Sequence, residues 1–319
     1  MNILVKGNNW LGDAVMSLST LQSLREMKPK ARVTVLTKPA FADLYRGAPY
    51  VDEVLLHERG TVKRWMGTVR EIRKRKFDAA LVLPRSFSSA FLVWSARIPR
   101  RIGYGRSTLL TDSPEAGGRR HRVHHFHHLL SALGDPPAVR APKLELLPDA
   151  KVWAAEKLPG DDWIGINPGA TYGAAKQWYP ERFIELGRRL SKRGRIVVVG
   201  GPAEAGLGEN VARGVDGVSI AGRTSVSQLA AAIARCSLFV TNDTGPMHVA
   251  DAVGTPIVAV FGPTDWVTTP PFGKKHTIVR HEIECAPCLK RECPLGHHNC
   301  MKTIEVAEVE KACLERLGR

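Results

Sequence analysis

Short apolar runs alternate with segments of helical periodicity in the first half of this chain. The helix-like segments include residues 13–27, 41–46 and 62–75, and the apolar runs are residues 1–5, 33–36, 53–56 and 79–83. Strands that alternate with helices predict βαβ units and a parallel sheet. We therefore expect an α/β domain in this half.

The same alternation resumes in the second half, after a stretch at residues 105–142 that is rich in Arg, His, Pro and Gly and has its helical part at 123–133. The apolar runs are residues 163–166, 196–199, 238–240 and 257–260. The helix-like segments are residues 180–193, 226–234 and 245–253, and a closing helix is predicted at 305–317. A chain of 319 residues suits two domains. We predict Rossmann-like domains at residues 1–155 and 156–319, with the linker near 148–160.

The composition is that of a globular protein, with 44% hydrophobic and 24% charged residues. Residues 1–7 read as a strand ending in glycine, because a signal peptide would have a basic start and a longer apolar stretch. No segment approaches the ~20 apolar residues of a membrane span. These features predict a cytoplasmic protein.

The loop at residues 7–15 leaves the first strand and begins a helix, and it carries Asp13. One interpretation makes Asp13 an N-cap. The other makes it a carboxylate at a ligand cleft, ready to accept a proton. The loop lacks the G-x-G-x-x-G spacing, and no acidic residue ends the second strand, which argues against a dehydrogenase.

Two loops in the second half also follow predicted strands. Residues 167–180 form a loop of small residues with Lys176, a type that binds phosphate through N–H groups and a cation. It is not a Walker A loop, and a solvated lysine is the alternative. Residues 241–250 place Asp243 and Thr244 before a helix, whose N-terminus at Gly245 favours a diphosphate. Ligands of parallel sheets bind beyond the carboxyl ends of strands, so we expect both domains to face one central cleft.

Several segments resemble those of glycosyltransferase family nine, the bacterial heptosyltransferases, and they occur in the family's order. They are G-D at residues 12–13, T-x4-K-x-W-x-P at 171–180, D-T-G-x-x-H-x-A at 243–250 and F-G-P-T-D at 261–265. The likeness covers residues 1–273, and the opening N-W-L-G-D-A-V-M-S favours the type II members over type I. The resemblance implies a glycosyltransferase B fold.

The resemblance also implies an inverting, metal-independent transfer of heptose from ADP-L-glycero-D-manno-heptose to the first heptose of the lipopolysaccharide inner core, a lipid A-linked acceptor. The N-terminal domain would hold the acceptor and the C-terminal domain the donor. Asp13 would be the general base, and Lys176 would stabilise the departing diphosphate. The other residues that we assign to the donor are Thr171, Glu204 (toward the ribose), Asp243, Thr244, Gly245 and His248.

A net charge of +15 is concentrated in the predicted acceptor half, with a basic run at residues 59–76 and arginines after residue 97. We expect Gly12, Arg97, Arg101 and Arg106 to contact the acceptor and the basic face to make peripheral contact with the inner membrane. For the basic run at residues 59–76, the alternative is a solvated helix face without a ligand. Nucleic acid is not expected, because no aromatic-basic recognition motif occurs.

Cysteine and histidine clusters raise the question of metals. Cys285, Cys288, Cys293 and Cys300 have C-x2-C-x4-C-x6-C spacing, which fits a structural zinc, an iron–sulfur ligand set, free thiols or an adventitious disulfide. The histidines at 121–128 fit a polar helix face better than a metal site. No metal is expected in catalysis. The rival functions are heptosyltransferase I or III and, in another class, a sugar-nucleotide 2-epimerase.

Overall fold

A computed structural model describes residues 1–58, 60–105 and 108–318. The chain divides into two compact units, Met1–Glu145 and Leu146–Arg319. Each unit contains one sheet in which all strand pairs are parallel. The predicted pair of α/β domains is therefore observed.

The first unit has a five-stranded sheet of order β3-β2-β1-β4-β5. Its strands are β1 (Asn2–Lys6), β2 (Arg32–Thr37), β3 (Glu53–Leu56), β4 (Ala79–Val82) and β5 (Arg100–Gly103). Its helices are α1 (Leu11–Met16), α2 (Leu18–Met27), α3 (Asp43–Arg46), α4 (Val62–Lys74), α5 (Phe87–Ser95) and α6 (Arg122–His128). The single helix predicted at 13–27 is divided at Ser17, whose hydroxyl donates to the Ala14 carbonyl at 2.7 Å.

The central strands of this sheet are apolar along their length because both faces are covered. Leu4 and Leu36 point to the face on which α4 and α5 pack, through side chains that include Ile72 and Val93. Neighbouring residues such as Val5 point to the other face, where they are also fully buried. The loops that follow β1, β4 and β5 are thus held at one edge of the sheet by a packed core.

The second unit has a six-stranded sheet of order β11-β10-β9-β6-β7-β8. Its strands are β6 (Trp163–Asn167), β7 (Arg195–Val198), β8 (Val218–Ser219), β9 (Cys236–Asn242), β10 (Ile257–Val260) and β11 (His276–Val279). Its helices are α7 (Pro148–Lys157), α8 (Pro180–Leu190), α9 (Ala205–Gly214), α10 (Val226–Ala234), α11 (Gly245–Val253), α12 (Asn299–Lys302) and α13 (Val306–Arg316).

The boundary between the units differs from the predicted one. It lies between Glu145 and Leu146, before the predicted end of the first domain at residue 155. The segment predicted as a linker is largely α7, which begins at Pro148 and packs Ala150 and Ala154 against Ala231 of α10. Proline is favoured in the first turn of a helix, so Pro148 starts this helix rather than marking a linker. No helix in the described part of the chain is long and apolar enough to cross a membrane.

Candidate functional site

Asp13 lies at the carboxyl edge of the first sheet, in the first turn of α1. Gly7 follows β1 and donates its N–H to the Leu36 carbonyl at 2.9 Å. A Cβ added to Gly7 would lie 3.3 Å from the same carbonyl oxygen. Trp10, and not Asp13, occupies the N-cap position, so the N-cap interpretation of Asp13 is wrong. A carboxylate in the first turn still benefits from the positive end of the helix dipole.

Arg122, at the start of α6, reaches Asp13, with 3.6 Å between its Nε and a carboxylate oxygen. The Asp13 side chain is 20% exposed, so a ligand hydroxyl can approach it. The arginine places a positive charge beside the carboxylate and limits the positions that the carboxylate can take. The pair therefore suits a general base that is held in position.

Two more arginines gather with Arg122 around a buried ring pair. The Tyr104 ring stacks on His125 at 4.1 Å between centroids, and the Arg85 guanidinium lies 5.9 Å from the Tyr104 ring. Burial raises the pKa of Tyr104, while the charges of Arg120 and Arg85 act in the opposite direction. We call Arg85, Arg120 and Arg122 the arginine cluster. It follows β4 and β5, beside Asp13, and provides positive charge for an anionic ligand.

Burial, followed by the charges of Arg122, Arg85 and Arg120, lowers the pKa of His125 from 6.5 to about 4. Between about pH 6.5 and pH 4 this histidine is therefore protonated more in the unfolded chain than in the folded protein, so stability falls as the pH drops through that range. The wild-type protein should lose stability between pH 7 and pH 5. We expect this loss to be smaller by about 1–2 kcal/mol in His125→Phe, because the variant has no imidazole at this position. Urea unfolding at both pH values measures this, and an unchanged pH dependence would contradict it.

The arginines predicted to contact the acceptor lie elsewhere. Arg97 precedes β5, and Arg101 is the second residue of that strand, so both are at the amino edge of the sheet, opposite Asp13. The Arg101 guanidinium donates to the Leu109, Ile98 and Pro99 carbonyls, which is a structural role. Arg106 lies outside the described residues. Gly12 is buried within α1, next to Asp13.

Three neighbouring strands of the second unit, β9, β6 and β7, end in the loops predicted to bind the donor. Asn242, the last residue of β9, ties two of these loops together. Its side-chain amide donates to the Pro168 and Gly169 carbonyls at 2.9 and 3.2 Å, and its side-chain oxygen accepts from the Trp178 N–H at 3.0 Å. Asn242 was not among the predicted site residues, although it follows an apolar run in the sequence.

Lys176 and Asp243 form an ion pair between these loops. Lys176 Nζ is 2.8 Å from a carboxylate oxygen of Asp243, and the two side chains are 14% and 4% exposed. Lys176 Nζ also lies 5.0 Å from the centroid of the Tyr172 ring, on whose face Arg291 lies at 5.2 Å. The interpretation of Lys176 as a solvated lysine is therefore wrong, and Tyr172 and Arg291 join the candidate site.

The remaining predicted donor residues surround this pair at the same edge. Glu204 follows β7 and accepts from the Gly201 N–H at 2.7 Å, and a Cβ added at Gly169 would come within 2.2 Å of its carboxyl carbon. Thr244 is the N-cap residue of α11 and Gly245 its first residue. Thr171 is exposed in the turn before Lys176, and His248 is buried one turn into α11.

Beside these loops, the Thr264 hydroxyl is buried without a hydrogen-bond partner among residues 1–58, 60–105 and 108–318. It follows β10, in the F-G-P-T-D stretch, and is a further candidate for a ligand contact. The positive end of the α11 dipole at Thr244 and Gly245, together with the buried Lys176 cation, makes this edge suitable for a diphosphate.

The four clustered cysteines, Cys285, Cys288, Cys293 and Cys300, line one small cavity as free thiols. Among the described residues, no three His, Cys, Asp or Glu side chains are arranged to hold a metal ion. A structural zinc at these cysteines stays a prediction, and elemental analysis of the purified protein tests it. In α6, His125 and His127 are buried, so the prediction of a polar helix face is wrong for these two histidines.

Comparison with known proteins agrees with this arrangement. The sequence profile of glycosyltransferase family 9 (heptosyltransferase) matches residues 65–299. Lipooligosaccharide heptosyltransferase 2 of Haemophilus influenzae is 32% identical, over 95% of this chain and 96% of that protein. Lipopolysaccharide heptosyltransferase 2 of Salmonella typhimurium is 30% identical, over 95% of each chain.

The fold is similar to a solved structure, that of ADP-heptose LPS heptosyltransferase II of Escherichia coli, with a TM-score of 0.86 and 28% sequence identity. The superposition covers 99% of this chain and 98% of that chain. The predicted glycosyltransferase B fold is confirmed by this match. On the evidence of both the sequence and the fold, the chain belongs to glycosyltransferase family 9, the heptosyltransferases.

Proposed function

We propose that this enzyme is a heptosyltransferase II, which moves heptose from ADP-L-glycero-D-manno-heptose to the first heptose of the lipopolysaccharide inner core. The observation that carries the proposal is the likeness to type 2 enzymes along nearly the whole chain. Membership of glycosyltransferase family 9 does not favour a sugar-nucleotide 2-epimerase, and the likeness to type 2 enzymes does not favour a heptosyltransferase I or III.

Donor binding rests on the edge of the second sheet. A diphosphate at the start of α11 would accept from the N–H groups of Thr244 and Gly245, since Pro246 has no N–H and the Met247 N–H donates to the Thr244 carbonyl. Lys176 would lie beneath it, fixed by Asp243. These donors would stabilise the charge that develops on departing ADP, the usual main source of acceleration in such a reaction.

The chemical step would be a single displacement. An acceptor hydroxyl attacks the anomeric carbon of the heptose, the bond to the diphosphate oxygen breaks on the opposite face, and the configuration inverts. Asp13 takes the hydroxyl proton, and ADP leaves with the electron pair of the broken bond. The step requires no covalent enzyme intermediate and no metal.

The acceptor would be recognised through its charges. An inner-core acceptor carries acidic sugars and phosphates, and the arginine cluster lies beside Asp13. We assign this cluster, rather than Arg97 and Arg101, to the acceptor. We also place the enzyme in the cytoplasm, at the inner membrane, because its acceptor would be anchored there through lipid A.

The transfer itself is tested by incubating the protein with ADP-heptose and purified inner-core acceptor that carries one heptose, followed by mass spectrometry. We expect the acceptor to gain one heptose, and we expect the same gain in the presence of EDTA. Absence of the gain, with intact acceptor and donor, would contradict the proposed function. Loss of activity with EDTA would contradict the metal-independent mechanism.

Replacing Arg122 by Gln should raise KM for the acceptor by about 10- to 100-fold, because a hydrogen bond to a charged group contributes roughly 1.5–3 kcal/mol. KM for ADP-heptose should not change. Arg140→Gln is a matched control, since Arg140 pairs with Glu26 on the surface of the same unit. Steady-state kinetics with each substrate varied in turn measures both constants, and an unchanged acceptor KM would remove the arginine cluster from the acceptor site.

A further inference from the structure

A group of exposed and half-buried apolar side chains lies on α4 and α5 of the first unit. Phe91 stacks on three neighbours, with centroid distances of 5.5 Å to Trp65, 5.8 Å to Phe87 and 5.6 Å to Trp94. Phe87 is 71% exposed and Trp94 46%. Val62 and Met66 of α4 are also exposed. We call Val62, Trp65, Met66, Phe87, Phe91 and Trp94 the aromatic surface.

The helix pattern of α5 explains why this surface is unusual. Leu92 and Val93 are buried against the sheet, so they form the side of α5 that packs on the core. Phe87, Phe91 and Trp94 recur at spacings of four and three residues on the other side, which is the side that usually carries polar residues. A contiguous exposed apolar group of this kind marks a surface that meets a partner or a membrane.

Basic residues are numerous in the segment that carries the aromatic surface. Residues 60–97 contain nine Lys or Arg and two acidic residues. Arg73 donates to the Ser95 carbonyl, which fixes it beside the end of α5, and Arg97 follows that helix as an exposed residue. Glu71 is already paired with Lys74 and Arg75. The field around the exposed rings is therefore positive.

We propose that the aromatic surface docks the enzyme on an anionic lipid bilayer, with its rings among the lipid headgroups and upper acyl chains. Tryptophan and phenylalanine, flanked by Lys and Arg, are the side chains that favour this interface. The excess of positive charge complements anionic lipids. A protein partner or a second copy of this chain is less well matched, because most of these basic residues are exposed around an apolar centre rather than paired.

The location of the surface is related to the chemistry, and this step rests on the proposed function. Val62 and Phe87 are the first residues of helices that follow β3 and β4, so they lie at the carboxyl edge of the sheet, as Asp13 does. Docking through the aromatic surface would hold that edge close to the bilayer. A lipid-anchored acceptor could then reach Asp13 without leaving the membrane.

The test is co-sedimentation of the full-length protein with vesicles of phosphatidylcholine alone or mixed with phosphatidylglycerol. We expect binding to the mixed vesicles that weakens as NaCl is raised. The variant with Phe87→Ser and Trp94→Ser should bind them at least about tenfold more weakly. Because both side chains are exposed, the fold should be retained, which circular dichroism checks. A control variant with Val152→Ser and Val267→Ser removes exposed apolar side chains of the second unit and should bind normally.

Activity on an inner-core acceptor freed of its acyl chains separates this proposal from the proposed function. We expect the wild-type protein and the aromatic-surface variant to have equal activity on that acceptor. Equal vesicle binding by the two proteins, or no binding by the wild-type protein, would overturn the membrane proposal even if transfer is normal. A wild-type dimer that dissociates in the variant, measured by sedimentation equilibrium, would overturn it in favour of a contact between copies. Inactivity of both proteins on the freed acceptor would instead count against the proposed function.

Discussion

Asp13→Asn should lower kcat by about 10²- to 10⁴-fold, the usual contribution of a general base. The amide keeps the size of the side chain but cannot take a proton from the acceptor hydroxyl. KM for ADP-heptose should stay within about twofold, because only transition-state stabilisation is lost. Steady-state transfer kinetics, with a direct measurement of ADP binding, provide both quantities.

Asp43→Asn is the matched control for this variant. Asp43 also pairs with an arginine of its own unit, at 3.1 Å from Arg46, but it lies in α3 rather than in the loop after β1. We expect this control to retain full kcat. Turnover near normal in Asp13→Asn would exclude Asp13 as the base. An equal loss in both variants would point to a general effect of removing a carboxylate.

Lys176→Met should destabilise the second unit by about 3–5 kcal/mol, because it leaves the Asp243 carboxylate buried without its partner. The same change should weaken donor binding, since the cation near the diphosphate is lost. Urea unfolding and KM for ADP-heptose are the two measurements. A folded variant with unchanged donor kinetics would refute the donor role of Lys176.

The double variant Lys176→Met/Asp243→Asn separates stability from binding. Without the buried carboxylate, stability should recover to within about 1–2 kcal/mol of the wild type, because replacing both members of a buried pair costs far less than removing one. Donor KM should stay raised. Recovery of both properties would mean that Lys176 acts only through Asp243.

The sequence was informative wherever a strand was long and apolar. The runs at 1–5, 163–166 and 257–260 correspond to β1, β6 and β10, and the motifs that follow strands lie at the carboxyl edges of the two sheets. The strands β5, β8 and β11 were not predicted, because β8 has only two residues and because half of the residues of β5 and β11 are polar. Proline is common both in linkers and in the first turn of a helix, so the sequence alone does not show that Pro148 begins α7.

The site was predicted less completely than the fold. Lys176 and Asp243 were each identified, but their mutual ion pair depends on how two loops pack, which spacing alone does not determine. Among the arginines, composition could not distinguish Arg101, which is bound to three carbonyls, from Arg122, which reaches Asp13. The distinction depends on which edge of the sheet each residue occupies.

The most direct test of the whole account is acceptor discrimination. Two purified inner-core acceptors, one without heptose and one with a single heptose, are incubated separately with the enzyme and ADP-heptose, and the products are weighed by mass spectrometry. We predict that only the acceptor with one heptose gains another. Transfer to the heptose-free acceptor, or conversion of the sugar nucleotide without any transfer, would contradict it.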